Sequence, residues 1–423
     1  MSMPDYSDTD YFTDAALVDD PYAYYEFLRA QCPIHQERFQ SVYAVTGYDE
    51  AVAVYRDDET FSSCNAVGGP FPGLPVETRG DDISDLIEQY RNVFPLSDNF
   101  TTFDPPKHTA YRALMMRLIT PRRLKDNEDF MRRMAQRYLD SFVVDGRCEF
   151  VEDYAHPLSL LVVADFLGVP EEDHEWFKRG FEAPKPVGSL EGETYDGAHV
   201  NFLEDSFTNY VEERRHEPRE DALTKLALAT FPDGSLPEVS DVAKMASMIF
   251  AAGQGTTVHL LGMAMVFLAE QPELQAELRE HKERIPDFLE EVLRIESPVK
   301  TIFRLARRPV TVGGVDLPAG ATVMLMNGAA NRDPRRFVHA AELRVDRDNA
   351  KEHLAFGRGT HVCPGGPLSR AEGRVSVELL LDRLRDIRLS ERHHGPADAR
   401  HFRFQPSFFS RRIEELHLEF MRP

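Results

Sequence analysis

Positive charge is scarce in this chain. Its 423 residues carry 49 Lys and Arg against 71 Asp and Glu, a formal net charge of −22. A surface this acidic repels phosphate backbones and anionic lipid heads, so neither nucleic acid nor a membrane is an expected partner. Cysteine is also sparse. Cys32, Cys64, Cys148 and Cys363 are far apart and form no C-x-x-C pair, which argues against a disulfide scaffold and a cysteine-rich zinc site. There is one tryptophan, and no internal repeat or low-complexity tract is visible. The opening MSMPDYSDTDYF lacks an apolar run, so no secretory signal is expected and the cytoplasm is the expected compartment.

Long apolar runs are absent but for one. Met245 to Ala269 contains no Asp, Glu, Lys or Arg. Its length would span a bilayer. Its middle, however, holds Gly253, Gln254, Gly255, Thr256, Thr257 and His259, and it has no partner span. A helix that is apolar all round also fits the core of a large protein, and a buried central helix is the expectation.

The rest of the pattern is mostly helical. Asp20 and Pro21 signal a helix start before AYYEFLRA. Residues 41–46 read as a strand and 49–56 as a short helix. Residues 62–106 are rich in Gly, Pro, Asn and Asp, a long irregular segment of the kind that usually carries function. Helices are expected to dominate from 108 to 296. Short strands follow at 310–315 and 322–326, then a last helix at about 368–385 and a strand-and-loop tail after Gly395. This reads as a single domain, 1–423, mainly α with small β-sheets.

The segment that carries chemistry is Phe356-Gly-Arg-Gly-Thr-His-Val-Cys-Pro-Gly365. Gly357 and Gly359 permit backbone shapes that other residues resist. Cys363 stands just before a helix, whose free N–H groups and dipole favour a thiolate. Such a thiolate is a soft ligand for haem iron. Taken by itself, the same segment also reads as a glycine-rich loop around a buried cysteine.

This segment resembles, at every fixed position, the haem-binding loop F-G-x-G-x-H-x-C-x-G of the cytochrome P450 superfamily. The resemblance extends over most of the chain. It implies the soluble bacterial form of that fold, with haem b (iron protoporphyrin IX) held between the long central helix and the cysteine loop with its last helix. Cys363 is implied as the metal ligand, with Phe356, Gly357, Arg358, His361 and Gly365 around the cofactor. His108-Thr-Ala-Tyr-Arg112 resembles the H-x-x-x-R whose side chains, one helical turn apart, reach the haem propionates. Arg304 matches a further propionate contact. Glu291-Val-Leu-Arg294 resembles the E-x-x-R of a buried structural ion pair, and Arg347 is the expected third member. Glu88–Arg91 and Glu212–Arg215 fit the same letters, so order along the chain selects Glu291.

Ala252-Gly-Gln-Gly-Thr-Thr257 resembles the oxygen-activation motif A-G-x-[D/E]-T-T. The implied catalytic residues are Gly253, opening a groove for dioxygen, Thr256, helping protons reach it, and their neighbours Gln254 and Gly255. The chain departs from the pattern at Gly255, where the acid is missing. The Gln254 amide cannot gain and lose a proton near neutral pH.

The resemblance implies insertion of one oxygen atom into a C–H or C=C bond, or an O-dealkylation, of a small to medium apolar molecule. Phe250, Ala251, Val299, Ile302 and Phe408 are the expected pocket residues, with contributions from 70–100, 176–210 and 407–409. Lys300 nearby either meets a substrate carboxylate or, as expected here, faces solvent. Electrons would come from a separate ferredoxin and its NAD(P)H-dependent reductase. Lys107, Arg112, Arg117, Arg122, Arg123 and Lys125, with Arg358, Arg370 and Arg374, form a candidate basic docking face in an acidic chain. Two alternatives stand beside this reading. One is a peroxide-driven peroxygenase, motivated by Gly255, and the other a non-catalytic haem-thiolate ligand sensor.

Overall fold

The computed structural model describes residues 4–180, 188–190 and 198–422. It is mainly helical, with small sheets. The expected central helix forms over Val239–Glu270, and two thirds of its most apolar window is buried inside the protein. It packs against Ala198–His216, His156–Leu167 and Gly366–Arg383. One continuous apolar core surrounds it, with Phe166, Phe177, Phe207, Leu260, Leu289 and Leu380 among its members.

Local signals set the element ends. The first long helix starts at Tyr22, one residue after Pro21, with the Tyr22 N–H donating to Asp20 Oδ1 at 3.0 Å. Thr120 caps Pro121–Phe142 by accepting from the Arg123 N–H. The irregular segment 62–106 contains a short α-helix, Ser84–Gln89, and a 3-10 turn, Arg91–Val93, where none was expected.

The five-stranded sheet has the order Ile34–Gln36, Tyr43–Val45, Thr322–Leu325, Ile302–Ala306, Phe61–Ser62. Ile302–Ala306 was not anticipated from the sequence. It is buried on both faces, so it lacks the alternation that marks a half-exposed strand. Pairing Arg304 with Val323 fixes the register that carries Arg304 into the interior. Val310–Val312 and Val315–Leu317 make a hairpin about Gly313 and Gly314, both at positive φ. A three-stranded sheet joins Arg147–Glu149, His417–Met421 and Arg385–Leu389.

Candidate functional site

The cysteine loop is shaped by its own backbone. Gly357 and Gly359 sit at φ +66° and +69°, and a Cβ at Gly359 would overlap the Tyr55 carbonyl oxygen. The Cys363 N–H donates to the Phe356 carbonyl at 2.8 Å, closing the loop. The helix Gly366–Arg383 begins immediately after. Cys363 is accessible through an internal cavity rather than packed away. Burial raises its thiol pKa, and the N–H groups of Gly365 and Gly366 and the Arg112 charge oppose that rise. The helix terminus therefore moderates the cost of the anion but does not by itself produce it.

The cavity, about 440 Å³, lies between Cys363 and the middle of the central helix. Ala252 is exposed to it, and Gly253, Gln254, Gly255, Thr256 and Thr257 line it. The Thr256 hydroxyl donates to the Ala252 carbonyl at 2.9 Å. Gln254 is 2 % exposed, and neither of its amide atoms has a partner among the described residues.

Cationic and imidazole groups gather at one side. Arg112 donates to the Val362 carbonyl at 2.6 Å, and Arg304, 4 % exposed, to the Phe303 carbonyl at 2.7 Å. The rings of His108 and His361 lie against each other, tilted by 35°, with centroids 3.9 Å apart. Among the described residues, both ring nitrogens of His108 and Nε2 of His361 are buried without partners. Burial and the nearby arginines lower these imidazoles to about 4 and about 2, so both are neutral. Orphaned buried donors beside two guanidiniums, with one thiol across an apolar space, are what a flat, dianionic, iron-bearing ligand requires. The residues present therefore fit haem.

Arg358 turns away from the cavity and donates to the Glu352 carbonyl at 2.7 Å, which corrects its expected place beside the cofactor. Phe356 lines the cavity on one side and receives the Arg370 guanidinium 4.5 Å from its ring centroid on another. Glu291 and Arg294, both fully buried, pair at 2.6 Å, and Arg347 Nε stands 2.9 Å from Glu291 Oε1.

Pocket expectations divide. Ala251, Val299 and Ile302 line the cavity. Phe250 does not. It is fully buried among Phe177 and Phe207, and Met248 and Ile249 take the lining positions. Phe408 likewise packs on Phe12 and Phe303, while Phe409 faces the cavity. Residues 181–187 and 191–197 of the expected 176–210 contribution lie outside the described residues. Lys300 does not face solvent. It is 4 % exposed, donates to the Ser407 carbonyl at 2.6 Å, and burial lowers its pKa to about 7.

The basic face is partly neutralised. Arg123 pairs with Asp165, Arg370 with Glu290, and Arg374 with Glu128 and Glu378. Lys107, Arg117, Arg122 and Lys125 remain exposed. Three charged cavity residues had no signal in the sequence: Glu372, which accepts from Ser159 Oγ at 2.5 Å, Arg411 and Arg412. Each reads there as an ordinary surface charge.

Comparison with known proteins agrees with this geometry. The Cytochrome P450 family profile matches residues 186–392. Cytochrome P450 144 of Mycobacterium tuberculosis is 32% identical, over 97% of this chain and 91% of its own length. The 6-deoxyerythronolide B hydroxylase of Saccharopolyspora erythraea is 33% identical over 86% and 88%. The substrate-free structure of Mycobacterium marinum cytochrome P450 CYP150A6 superposes with TM-score 0.93 at 49% identity, covering 99% of this chain and all of that one.

Proposed function

This chain belongs to the cytochrome P450 family and is a haem b monooxygenase, and on that premise we propose that its substrate is a small to medium apolar organic molecule oxidised with electrons from a separate ferredoxin. The products would be those of hydroxylation, epoxidation or O-dealkylation. The observation that carries this reading is the apolar cavity bounded by Cys363 on one side and Thr256 on the other. When bound, haem supplies dioxygen activation, with a thiolate ligand favouring O–O cleavage. The cytoplasm is the proposed compartment.

Each residue then has a task. Cys363 presents its sulfur as the iron ligand. Arg112, Arg304, His108 and His361 hold the two propionates. Among the described residues the imidazole nitrogens of His108 and His361 Nε2 are buried without partners, so a carboxylate that reaches them need not strip water from them. Glu291, Arg294 and Arg347 brace the chain that leads into the loop. Ala251, Val299, Ile302 and Phe409 exclude water and hold the substrate. Thr256 offers a hydroxyl that now bonds within the helix and can rotate towards the cavity.

Replacing Thr256 with Ala should leave substrate binding within about twofold. It should divert reducing equivalents to hydrogen peroxide, read as peroxide released per NADH consumed. Unchanged coupling would remove Thr256 from proton handling. Converting Arg117 and Arg122 together to Glu should slow electron transfer from ferredoxin by about tenfold at low salt and flatten its salt dependence. A salt profile identical to the wild type would show that the reductant docks elsewhere.

Gly255 favours a second reading. Without the acid of the family pattern, turnover driven by hydrogen peroxide would match that driven by ferredoxin, and a side-by-side rate comparison decides between them.

A further inference from the structure

The cavity has more positive charge than its surroundings answer. Four guanidiniums line it, from Arg112, Arg304, Arg411 and Arg412, but only one carboxyl does among the described residues, that of Glu372. Glu372 supplies little countercharge near neutral pH, because burial pushes its pKa up to about 8. Arg411 is satisfied: its Nε lies 3.0 Å from Glu296 Oε2, and it donates to the carbonyls of Val18 and Asp19. Arg112 and Arg304 are the two assigned above to the cofactor's two propionates. Arg412 is the surplus.

Its surroundings make the surplus costly. Among the described residues the Arg412 guanidinium forms no ion pair or hydrogen bond, and its Nε is buried without a partner. Glu152 and Glu414 act on it only through space, and burial lowers its pKa. Arg412 is half-buried, and a partly desolvated guanidinium without an acceptor gains from any anion that reaches it. The geometry of the central helix lets the guanidinium in. A Cβ on Gly255 would stand 3.2 Å from both Cδ and Nη1 of Arg412, so glycine leaves the guanidinium room against the helix. The carboxylate that the family pattern has at 255, which would have answered this charge internally, is absent. The remaining wall is apolar, including Val67, Leu96, Phe100, Met248, Ile249 and Ile302.

We propose that Arg412 is the anion-binding residue of the substrate pocket, and that the substrate is an apolar molecule ending in a carboxylate. The planar fork of a guanidinium matches a carboxylate with two parallel hydrogen bonds. The acid would anchor at Arg412, and the hydrocarbon would lie along the Met248–Ile249 side and Phe100. This deepens the reading of the cavity as a monooxygenase pocket and rests on it.

The test uses the haem-loaded full chain and the shift of the visible band that reports displacement of water from the iron. Straight-chain acids from octanoic to hexadecanoic are titrated alongside their methyl esters. At least one acid should bind about tenfold or more tightly than its own ester, since a charge-assisted contact is worth more than that factor requires. Arg412→Gln should erase the difference by weakening the acid alone, with ester affinity kept within about twofold. Gly255→Asp should erase it by a different route, placing a carboxylate beside the guanidinium. A series in which no acid outperforms its ester overturns the proposal. So does either variant that keeps the preference. If Arg412→Gln loads no haem, Gly255→Asp and Arg412→Lys decide. Failure of the underlying reading looks different: the wild type would lack haem or the thiolate-type spectrum of its reduced carbon monoxide complex.

Discussion

Cys363→Ala should yield a folded chain whose reduced carbon monoxide complex lacks the thiolate-type absorption band altogether. The size of this effect follows from how little else depends on the side chain. The loop is closed by the Cys363 N–H on the Phe356 carbonyl, a backbone bond that alanine retains. Gly357 and Gly359 keep their positive φ values, and the helix from Gly366 is untouched. The sulfur faces the cavity and fills no packed core, so deleting it creates no new void. The stability of the haem-free chain should therefore change by about 0.5 kcal/mol or less, measured by denaturant titration. Loss of ligation without loss of fold separates a ligand from a structural cysteine. Burial opposes the thiolate in the pocket as it stands, while Gly365, Gly366 and Arg112 favour it. A cation coordinated there supplies the rest of the driving force for deprotonation. If the variant kept the thiolate-type band, the sulfur ligand would have to be another residue. Cys32, Cys64 and Cys148 do not line this cavity.

The same loop shows why part of the site could be read from letters alone. Its glycines are required by backbone shape, its cysteine by chemistry, and all are contiguous, so identity and spacing suffice. His108 and Arg112 are legible for a related reason, being one helical turn apart. What the sequence could not provide was phase and partners. The central helix is apolar on nearly every face, so periodicity does not say which side meets the cavity. An error of one residue rotates the choice by about 100°, and the letters point to Phe250 where Ile249 lines the wall. In the extended segment near 408 a one-residue slip reverses the side, which exchanges Phe408 for Phe409. The basic run, read along the chain, comes without its remote partners: Asp165, Glu290 and Glu128 lie on other helices than the arginines they meet. Arg412 and Glu372 are invisible in the letters because a charge near a strand or on a helix reads as solvated until the fold buries it.

Arg294→Ala is expected to cost about 3–5 kcal/mol of stability, the range for removing one member of a buried charged pair. As an exposed pair at i,i+3 spacing, Glu291 and Arg294 would be worth only a few tenths of a kcal/mol. Burial raises the stakes. Both side chains are fully buried, and every N–H of the guanidinium has an acceptor. Nε and Nη2 donate to the two carboxylate oxygens of Glu291 at 2.6 and 2.9 Å. Nη1 donates to the carbonyls of Asn331 and Ala340 at 2.9 and 2.6 Å, and Nη2 also to that of Glu342 at 3.0 Å. Glu291 in turn accepts from the Arg344 N–H at 2.9 Å and faces Arg347. One side chain thus ties the helix Ile285–Ile295 to the stretch 331–347, which runs directly into the cysteine loop. Truncating it takes a donor from three carbonyls and from a buried carboxylate; that of Glu342 keeps a bond from Arg347 Nη2, and each group left unsatisfied carries its own desolvation cost. Haem content should fall together with the denaturation midpoint, since the loop loses its brace. Glu291→Gln combined with Arg294→Met replaces the charges by groups of similar volume and should recover part of the lost stability. A similar recovery by Met at 294 alone would mean that packing, not the charge network, holds this junction. An Arg294→Ala protein that unfolds at the wild-type denaturant concentration would show that the segment before the loop is held by its own turns.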